Sequence, residues 1–154
     1  MGERRNRKLV KKAAGLLAQD EAVHLITAAK LGSVPVAANA AAAVTAGVVV
    51  SLLGGGAGFV GFAQREVYIL LTDRQLLFFE ADRSTGSPGK HLASFRREHV
   101  LCTEPASKVG GLFLKFQVVV PGLSAPIRLT FPPLPPRLRK EGRLLATALP
   151  RVRS

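Results

Sequence analysis

Residues 67–79 read VYILLTDRQLLFF, two apolar runs on either side of a short polar turn. The first run, Val67 to Thr72, is rich in β-branched and aromatic residues, which favour extended strands. Asp73-Arg74-Gln75 has the composition of a turn, and Leu76 to Phe79 then resumes the apolar pattern. Two such runs joined by a short polar segment are typical of a β-hairpin. The sequence therefore predicts antiparallel β-structure built outward from this hairpin.

The segments around the hairpin extend this pattern. A strand is possible over residues 23–27 before it, and residues 112–119 after it are expected to form a longer strand with Leu112, Leu114, Phe116 and Val118 on one face. A basic amphipathic helix is predicted over residues 5–19, and a second amphipathic helix over residues 137–149. The other strand candidates are residues 91–95, 99–103 and 127–131, and residues 83–89 have the composition of a loop. The order is several short strands followed by one C-terminal helix.

The stretch Leu71-Thr72-Asp73-Arg74-Gln75-Leu76-Leu77-Phe78-Phe79 resembles the LT-x-x-R-L-x-x-F type hairpin of pleckstrin-homology-like (PH-like) domains, including their GRAM and bacterial versions. The resemblance covers residues 20–30 and 65–149. It implies an α+β fold, in which a bent antiparallel β-sandwich or barrel is capped by the C-terminal helix. It also implies a binding function, which is directed at phosphoinositides in some members of the family and at proteins in others.

The domain organisation follows from this resemblance. Residues 1–19 are expected to be a basic N-terminal helix, residues 20–149 the PH-like domain, and residues 150–154 a tail. Residues 34–63 are expected to be an Ala/Gly-rich apolar insertion between the first two strands, which is a departure from the compact family pattern.

The apolar insertion lies in a segment without charge. No ionisable side chain occurs between Lys30 and Arg65. At about 1.5 Å per residue, a helix over this stretch is long enough to cross the ~30 Å hydrocarbon core of a bilayer. We expect residues 34–63 to form a helical membrane segment, which places the protein at the cytoplasmic face of the plasma membrane. The alternative is a cytoplasmic protein that buries this segment against its own core.

The overall charge favours anionic partners. Lys and Arg number 22 against 10 Asp and Glu, which gives a formal net charge of +12. Such a charge suits lipid head groups, nucleic acid or an acidic protein. Tyr68 is the only tyrosine and tryptophan is absent, so base-stacking platforms are poorly supported and nucleic acid is not the expected partner. The predicted anion-binding residues are Arg4, Arg5, Arg7, Lys8, Lys11, Lys12, Arg96 and Arg97.

One motif allows an enzymatic alternative. Gly56-Ala57-Gly58-Phe59-Val60-Gly61 matches the G-x-G-x-x-G pattern of dinucleotide-binding folds, and Glu80 follows Gly61 by nineteen residues. The crossover helix of such a fold would have to come from residues 67–72, which read as a strand. We therefore do not expect NAD or FAD to bind.

No other pattern indicates catalysis. His24, His91 and His99 lack the spacing of metal ligands, and the single cysteine, Cys102, lies in a strand-like apolar context. The sequence predicts a non-catalytic, membrane-associated binding module without cofactor or metal, which contacts anionic lipid or a protein partner. The alternative to this prediction is a soluble basic module that binds protein or nucleic acid, and a third possibility is the nucleotide-binding enzyme.

Overall fold

The computed structural model describes residues 3–31, 48–50, 66–82, 85–103, 105–108, 112–120 and 126–152. These residues form two helices, α1 (Glu3–Ala13) and α2 (Arg137–Ala148). Short 3-10 turns lie at Ala14–Leu16 and Arg97–His99. The strands are β1 (Val23–Leu31), β2 (Val48–Val50), β3 (Glu66–Thr72), β4 (Gln75–Ala81), β5 (Pro88–Arg96), β6 (Leu101–Cys102), β7 (Ala106–Lys108), β8 (Phe113–Val119) and β9 (Ile127–Phe131).

The strands form one antiparallel sheet in the order β2-β5-β4-β3-β1-β9-β8-β6, and β7 also pairs with β8. β1 joins the two sides of this sheet. It pairs with β3 over most of its length, and with β9 through Lys30 and Leu31 at its end. The described chain therefore has the α+β architecture that the sequence predicts.

The β3–β4 hairpin is buried on both faces. Its register places Ile69 opposite Phe78 and Leu70 opposite Leu77. Successive side chains of a strand point to opposite faces, so neighbouring residues of the hairpin enter different apolar clusters. The main core lies on one face and includes Leu31, Ile69, Leu71, Leu76, Phe78, Phe95, Leu114, Phe116, Leu129 and Phe131. Burial on both sides explains why residues 67–71 of β3 and 76–79 of β4 are apolar instead of alternating.

α1 covers the other face of the hairpin. Leu9 and Ala13 are fully buried there. They pack in an outer cluster with Tyr68, Leu70, Leu77 and Phe79. Complete burial of a leucine side chain contributes roughly 1.5–3 kcal/mol. This contact fixes α1 on the side of the sheet that faces away from the main core.

α2 packs against the main core through one face. Leu145 and Ala146 are fully buried in that core, and Leu149 extends the contact just beyond the helix. Arg97 binds the end of this helix, because its guanidinium NH2 donates to the carbonyl oxygen of Ala148 at 3.1 Å. α2 is therefore held both by apolar packing and by a hydrogen bond from the end of β5.

Several element boundaries differ from the predictions. The basic helix ends at Ala13 instead of residue 19, and a 3-10 turn that contains Gly15 follows it. β5 begins at Pro88, inside the predicted loop, because it pairs with β4 as far as Ala81. The strand predicted at residues 99–103 is shortened to Leu101–Cys102 by the preceding turn.

The predicted apolar insertion is described only at Val48–Val50. The expectation of a helix is wrong for these three residues, which form β2 and pair with β5. Three consecutive β-branched residues favour an extended backbone, and the edge of the sheet supplies hydrogen-bond partners. The rest of residues 34–63, together with the Gly56–Gly61 motif, lies outside the described residues.

The predicted tail is described up to Val152. The backbone N–H of Cys102 donates to the carbonyl of Pro150 at 2.8 Å, and the N–H of Val152 donates to the carbonyl of Cys102 at 2.9 Å. Residues 150–152 thus hydrogen-bond to β6.

Candidate anion-binding surface

The predicted basic residues of α1 do not all share one environment. Side chains are spaced by about 100° around an α-helix, because each turn holds 3.6 residues. Leu9 and Ala13 define the face that touches the sheet. Five cationic side chains fall on the remaining, exposed surface, which we call the α1 stripe: Arg4, Arg7, Lys8, Lys11 and Lys12.

The α1 stripe carries almost no compensating negative charge. Glu3 is the acidic residue of the first turn, and its carboxylate lies 3.9 Å from the guanidinium of Arg7. Both side chains are largely exposed, at 86% and 74% respectively, so this ion pair contributes little to stability. The stripe is therefore a solvent-facing surface with a strong positive excess.

The side chain of Arg5 points away from the α1 stripe, toward the β4–β5 loop. A Cβ placed on Gly86 would lie 3.1 Å from its NH2 atom, which shows that the guanidinium rests against the β4–β5 loop. The hydroxyl of Tyr68 donates to the carbonyl of Gly86 in the same place. Burial raises the pKa of the Tyr68 hydroxyl, and the charge of Arg5 opposes that shift. Arg5 is exposed, but its guanidinium thus reaches the β4–β5 loop and lies apart from the α1 stripe.

A second cationic feature lies on the sheet itself. The strand registers pair Glu66 with Lys30, Lys30 with Thr130, and Thr130 with Lys115. Directly opposite residues have Cβ atoms about 4.5–5.5 Å apart, so these four side chains form one row across β3, β1, β9 and β8. We call it the sheet row. Its flanking neighbours Leu31, Leu114 and Leu129 are in the main core, so the row faces away from that core.

Lys30 and Lys115 are not among the anion-binding residues predicted from the sequence. Lys115 alternates with the buried Leu114 and Phe116, and this alternation already predicts an exposed cation on β8. The position of Lys30 depends on the register between β1 and β9, which the sequence does not give because these strands are about a hundred residues apart in the chain. No local pattern places Lys30 beside Thr130.

Arg96 is the last residue of β5 and Arg97 the first residue of the 3-10 turn that follows, and the two side chains have different roles. Arg96 is exposed, and its guanidinium lies 3.1 Å from the carboxylate of Glu98. The guanidinium of Arg97 donates to the carbonyls of Thr72 and Ala148 and contacts Nδ1 of His24 at 2.9 Å. The charge of Arg97 is near the surface, but its donors are engaged in holding the fold together.

These arginines line a groove of about 620 Å³ beside the β3–β4 turn. Its remaining charged residues are Glu21, Asp73, Arg74 and Glu98, so three carboxylates balance three arginines in its lining. Glu21 accepts hydrogen bonds from Thr72 Oγ1 at 2.5 Å and from Gln75 Nε2 at 3.0 and 3.1 Å. The polar groups of this groove mainly bind one another and fix the turn.

The histidines and the cysteine form no reactive set in the described part of the chain. The Nε2 atom of His91 lies 2.6 Å from Ser94 Oγ, and Cys102 Sγ lies 3.2 Å from the carbonyl of Ala146. Among the described residues, no group of three or more His, Cys, Asp or Glu side chains is placed to hold a metal ion. In the same residues, no helix is both long and apolar enough to cross a membrane.

Comparison with known proteins gives a distant structural likeness. No protein-family model matches the chain, and no curated protein matches it. Among solved structures, it is similar to the hSac2 domain from human phosphoinositide phosphatase Sac2, with 13% sequence identity and a TM-score of 0.46. That match covers 96% of this chain and 83% of the other. This level of similarity assigns neither a family nor a function to the chain.

Proposed function

We propose that this chain is a non-catalytic, PH-like module that binds the anionic surface of a membrane at its cytoplasmic face. The strand order supports the PH-like assignment. One half of the sheet contains the neighbouring strands β5, β4, β3 and β1, and the other half contains β9, β8 and β6. α2 follows β9, the last strand of the chain. This is the arrangement expected of an antiparallel sheet bent at β1 and closed by a C-terminal helix.

The α1 stripe is the observation that carries the proposed function. The buried pair Leu9 and Ala13 holds α1 on the sheet, and the docked helix turns its cations outward together. Each Lys or Arg close to an anionic membrane contributes about 1 kcal/mol, and the attraction decays over a Debye length. A folded helix that presents five cations on one side is therefore suited to a charged plane.

The sheet row adds to this surface. Lys30 and Lys115 face away from the main core, and α1 also packs on that side of the sheet. In the proposed function, both cationic features meet lipid head groups. Residues 34–63 are proposed to add apolar contact with the membrane, which would make part of the binding insensitive to salt.

The test is co-sedimentation with vesicles of phosphatidylcholine that contain phosphatidylglycerol or phosphatidylserine. Replacing Arg4, Lys8, Lys11 and Lys12 by Gln should weaken binding by roughly 2–4 kcal/mol at low salt and by much less at high salt. Both anionic lipids should serve about equally well, because the interaction is with charge.

A matched pair of single variants separates the stripe from net charge. Lys8→Gln and Lys140→Gln remove the same exposed charge from helices, but only Lys8 lies in the α1 stripe. Lys8→Gln should weaken vesicle binding more. Equal effects, or no binding by the wild-type chain, would contradict the proposal. Salt-sensitive binding to nucleic acid in place of vesicles would favour the soluble basic module.

A further inference from the structure

A pocket of about 280 Å³ opens on the outer face of the sheet, where β1 leaves β3 to meet β9. Arg5 of α1, Lys30 of β1 and Tyr68 of β3 contribute to its lining. The segment between β9 and α2 adds Pro132, Leu134 and Pro135. The pocket therefore includes Lys30, Glu66 and Thr130 of the sheet row, and its lining shares no residue with the groove beside the β3–β4 turn.

The charged lining is mostly positive. Arg5, Lys30 and Arg137 reach the pocket against one acid, Glu66, which leaves two positive charges in excess. Arg5 is held in place beside Tyr68 and Gly86. Lys30 comes from the sheet row, directly across from Glu66. Cations from two helices and a strand thus converge on one space, which suits a phosphate better than it suits a cation or a neutral group.

The rest of the lining is apolar. Phe113 and Leu138 lie beside the proline-rich segment, and Leu134 is 75% exposed at the rim. A leucine this exposed next to a partly buried phenylalanine offers apolar surface to a ligand that extends out of the pocket. At about 280 Å³ the space is slightly smaller than the roughly 300–1,000 Å³ of sites that enclose a whole small molecule. It fits part of a larger, amphiphilic ligand.

We propose that this pocket binds a single anionic phospholipid. Its phosphate lies between Arg5, Lys30 and Arg137, and the first methylenes of an acyl chain lie against Phe113 and Leu134. This inference rests on the proposed function and deepens it, because it adds a stoichiometric lipid site to an electrostatic surface. The remainder of the acyl chains stays in the bilayer.

The experiment is calorimetric titration of the full chain with dihexanoyl phosphatidylglycerol below its micelle concentration. Saturable binding with one lipid per chain is expected. Lys30→Gln should weaken it about fivefold, the equivalent of about 1 kcal/mol for one lysine at an anionic group. Lys140→Gln removes an exposed lysine outside the pocket and should leave the affinity unchanged. Both lysines are exposed, so neither change should unfold the protein.

The contact between the acyl chain and the apolar lining of the pocket is tested separately. Each methylene that enters the pocket contributes up to about 0.8 kcal/mol, a factor of about four, so dihexanoyl lipid should bind more tightly than dibutanoyl lipid. Leu134→Asn should reduce this dependence on chain length. Glycerophosphoglycerol and inorganic phosphate, which have no acyl chain, should bind much more weakly than the lipid.

The outcomes separate this inference from the proposed function. Non-saturable titration, unchanged affinity in Lys30→Gln, or equally tight binding of glycerophosphoglycerol or inorganic phosphate would overturn the lipid site. Vesicle binding that depends on the α1 stripe would survive any of these results. Saturable binding of short-chain lipid by a chain that ignores vesicles would instead overturn the proposed function alone.

Discussion

Gly142 of α2 lies directly against the ring of Phe131 in β9, and a Cβ atom on the glycine would come within 2.7 Å of the ring Cγ. Glycine in the middle of a helix is normally unfavourable by about 1 kcal/mol relative to alanine. Here it allows the helix backbone to approach the main core more closely than any larger residue permits. The helix and the sheet are therefore matched in shape at this point.

Gly142→Ala should destabilise the protein by about 1–3 kcal/mol, because the new methyl group overlaps a buried ring in a packed core. The midpoint of urea unfolding measures this loss. Gly15 provides the matched control, since a Cβ there has nothing within 4 Å. Gly15→Ala should leave stability unchanged or raise it slightly. A neutral Gly142→Ala variant would show that α2 can shift away from Phe131 without loss.

The docking of α1 can be tested at Leu9. This side chain is fully buried against the outer cluster, and Leu9→Ala should destabilise the protein by about 2–3 kcal/mol through the cavity it leaves. Leu16→Ala is the control, because Leu16 is 43% exposed and its replacement should change stability by less than about 0.5 kcal/mol. Hydrogen exchange of the α1 amides should accelerate in Leu9→Ala only. Equal protection in both variants would mean that Leu9 does not hold the helix.

The hairpin shows how much of this fold local sequence determines. The runs on either side of Asp73 have the composition of strands and a turn, and β3 and β4 form there with the predicted pairing. The same runs do not reveal what covers each face. That depends on α1, which reaches the outer cluster from a segment about sixty residues earlier.

The basic surface was only partly predictable for a related reason. Charge and helical periodicity identify the cations of α1 and place Arg5 on the same side of the helix as Leu9 and Ala13, but they do not show what this side packs against. In the fold, Leu9 and Ala13 dock on the sheet and turn Arg5 toward Tyr68 and Gly86. Similarly, the adjacent pair Arg96 and Arg97 looks uniform in sequence. Arg96 pairs with its near neighbour Glu98, whereas the partners of Arg97, Thr72 and Ala148, come from distant parts of the chain.

Arg97 should matter for stability where Arg96 does not. The guanidinium of Arg97 donates to the carbonyls of Thr72 at 2.9 Å and Ala148 at 3.1 Å, which ties the hairpin turn to the end of α2. Arg97→Met keeps much of the stem but leaves both carbonyls without this donor, and it should reduce stability by about 2–3 kcal/mol. Arg96→Met removes one exposed ion pair and should change stability by less than about 1 kcal/mol. Urea unfolding of both variants under the same conditions measures the two losses of stability. Similar losses in the two variants would contradict a structural role for Arg97.

His91 should make the stability of the protein depend on pH. The imidazole lies beside the ring of Phe79, with centroids 5.4 Å apart, and Nε2 is 2.6 Å from Ser94 Oγ. Burial lowers the pKa of His91 below its usual value of 6.5, more than a hydrogen bond with the backbone of Ala93 raises it. The unfolded chain therefore binds a proton more readily than the folded one in this range. The contribution of His91 to stability should be fully present above about pH 6.5 and should be lost as the pH is lowered through the depressed folded pKa.

The measurement is the urea midpoint between about pH 7.5 and about pH 5, a range in which histidine titrates. His91→Gln retains a polar group for Ser94 but cannot gain a proton, so its midpoint should vary less with pH than that of the wild-type chain. Burial raises the pKa of Glu141, which stabilises the fold toward acid pH and opposes the effect of His91. The comparison is therefore repeated in a Glu141→Gln background, where the difference attributable to His91 should persist. Parallel curves for the chains with and without His91 would show that the imidazole is protonated equally in the folded and unfolded states.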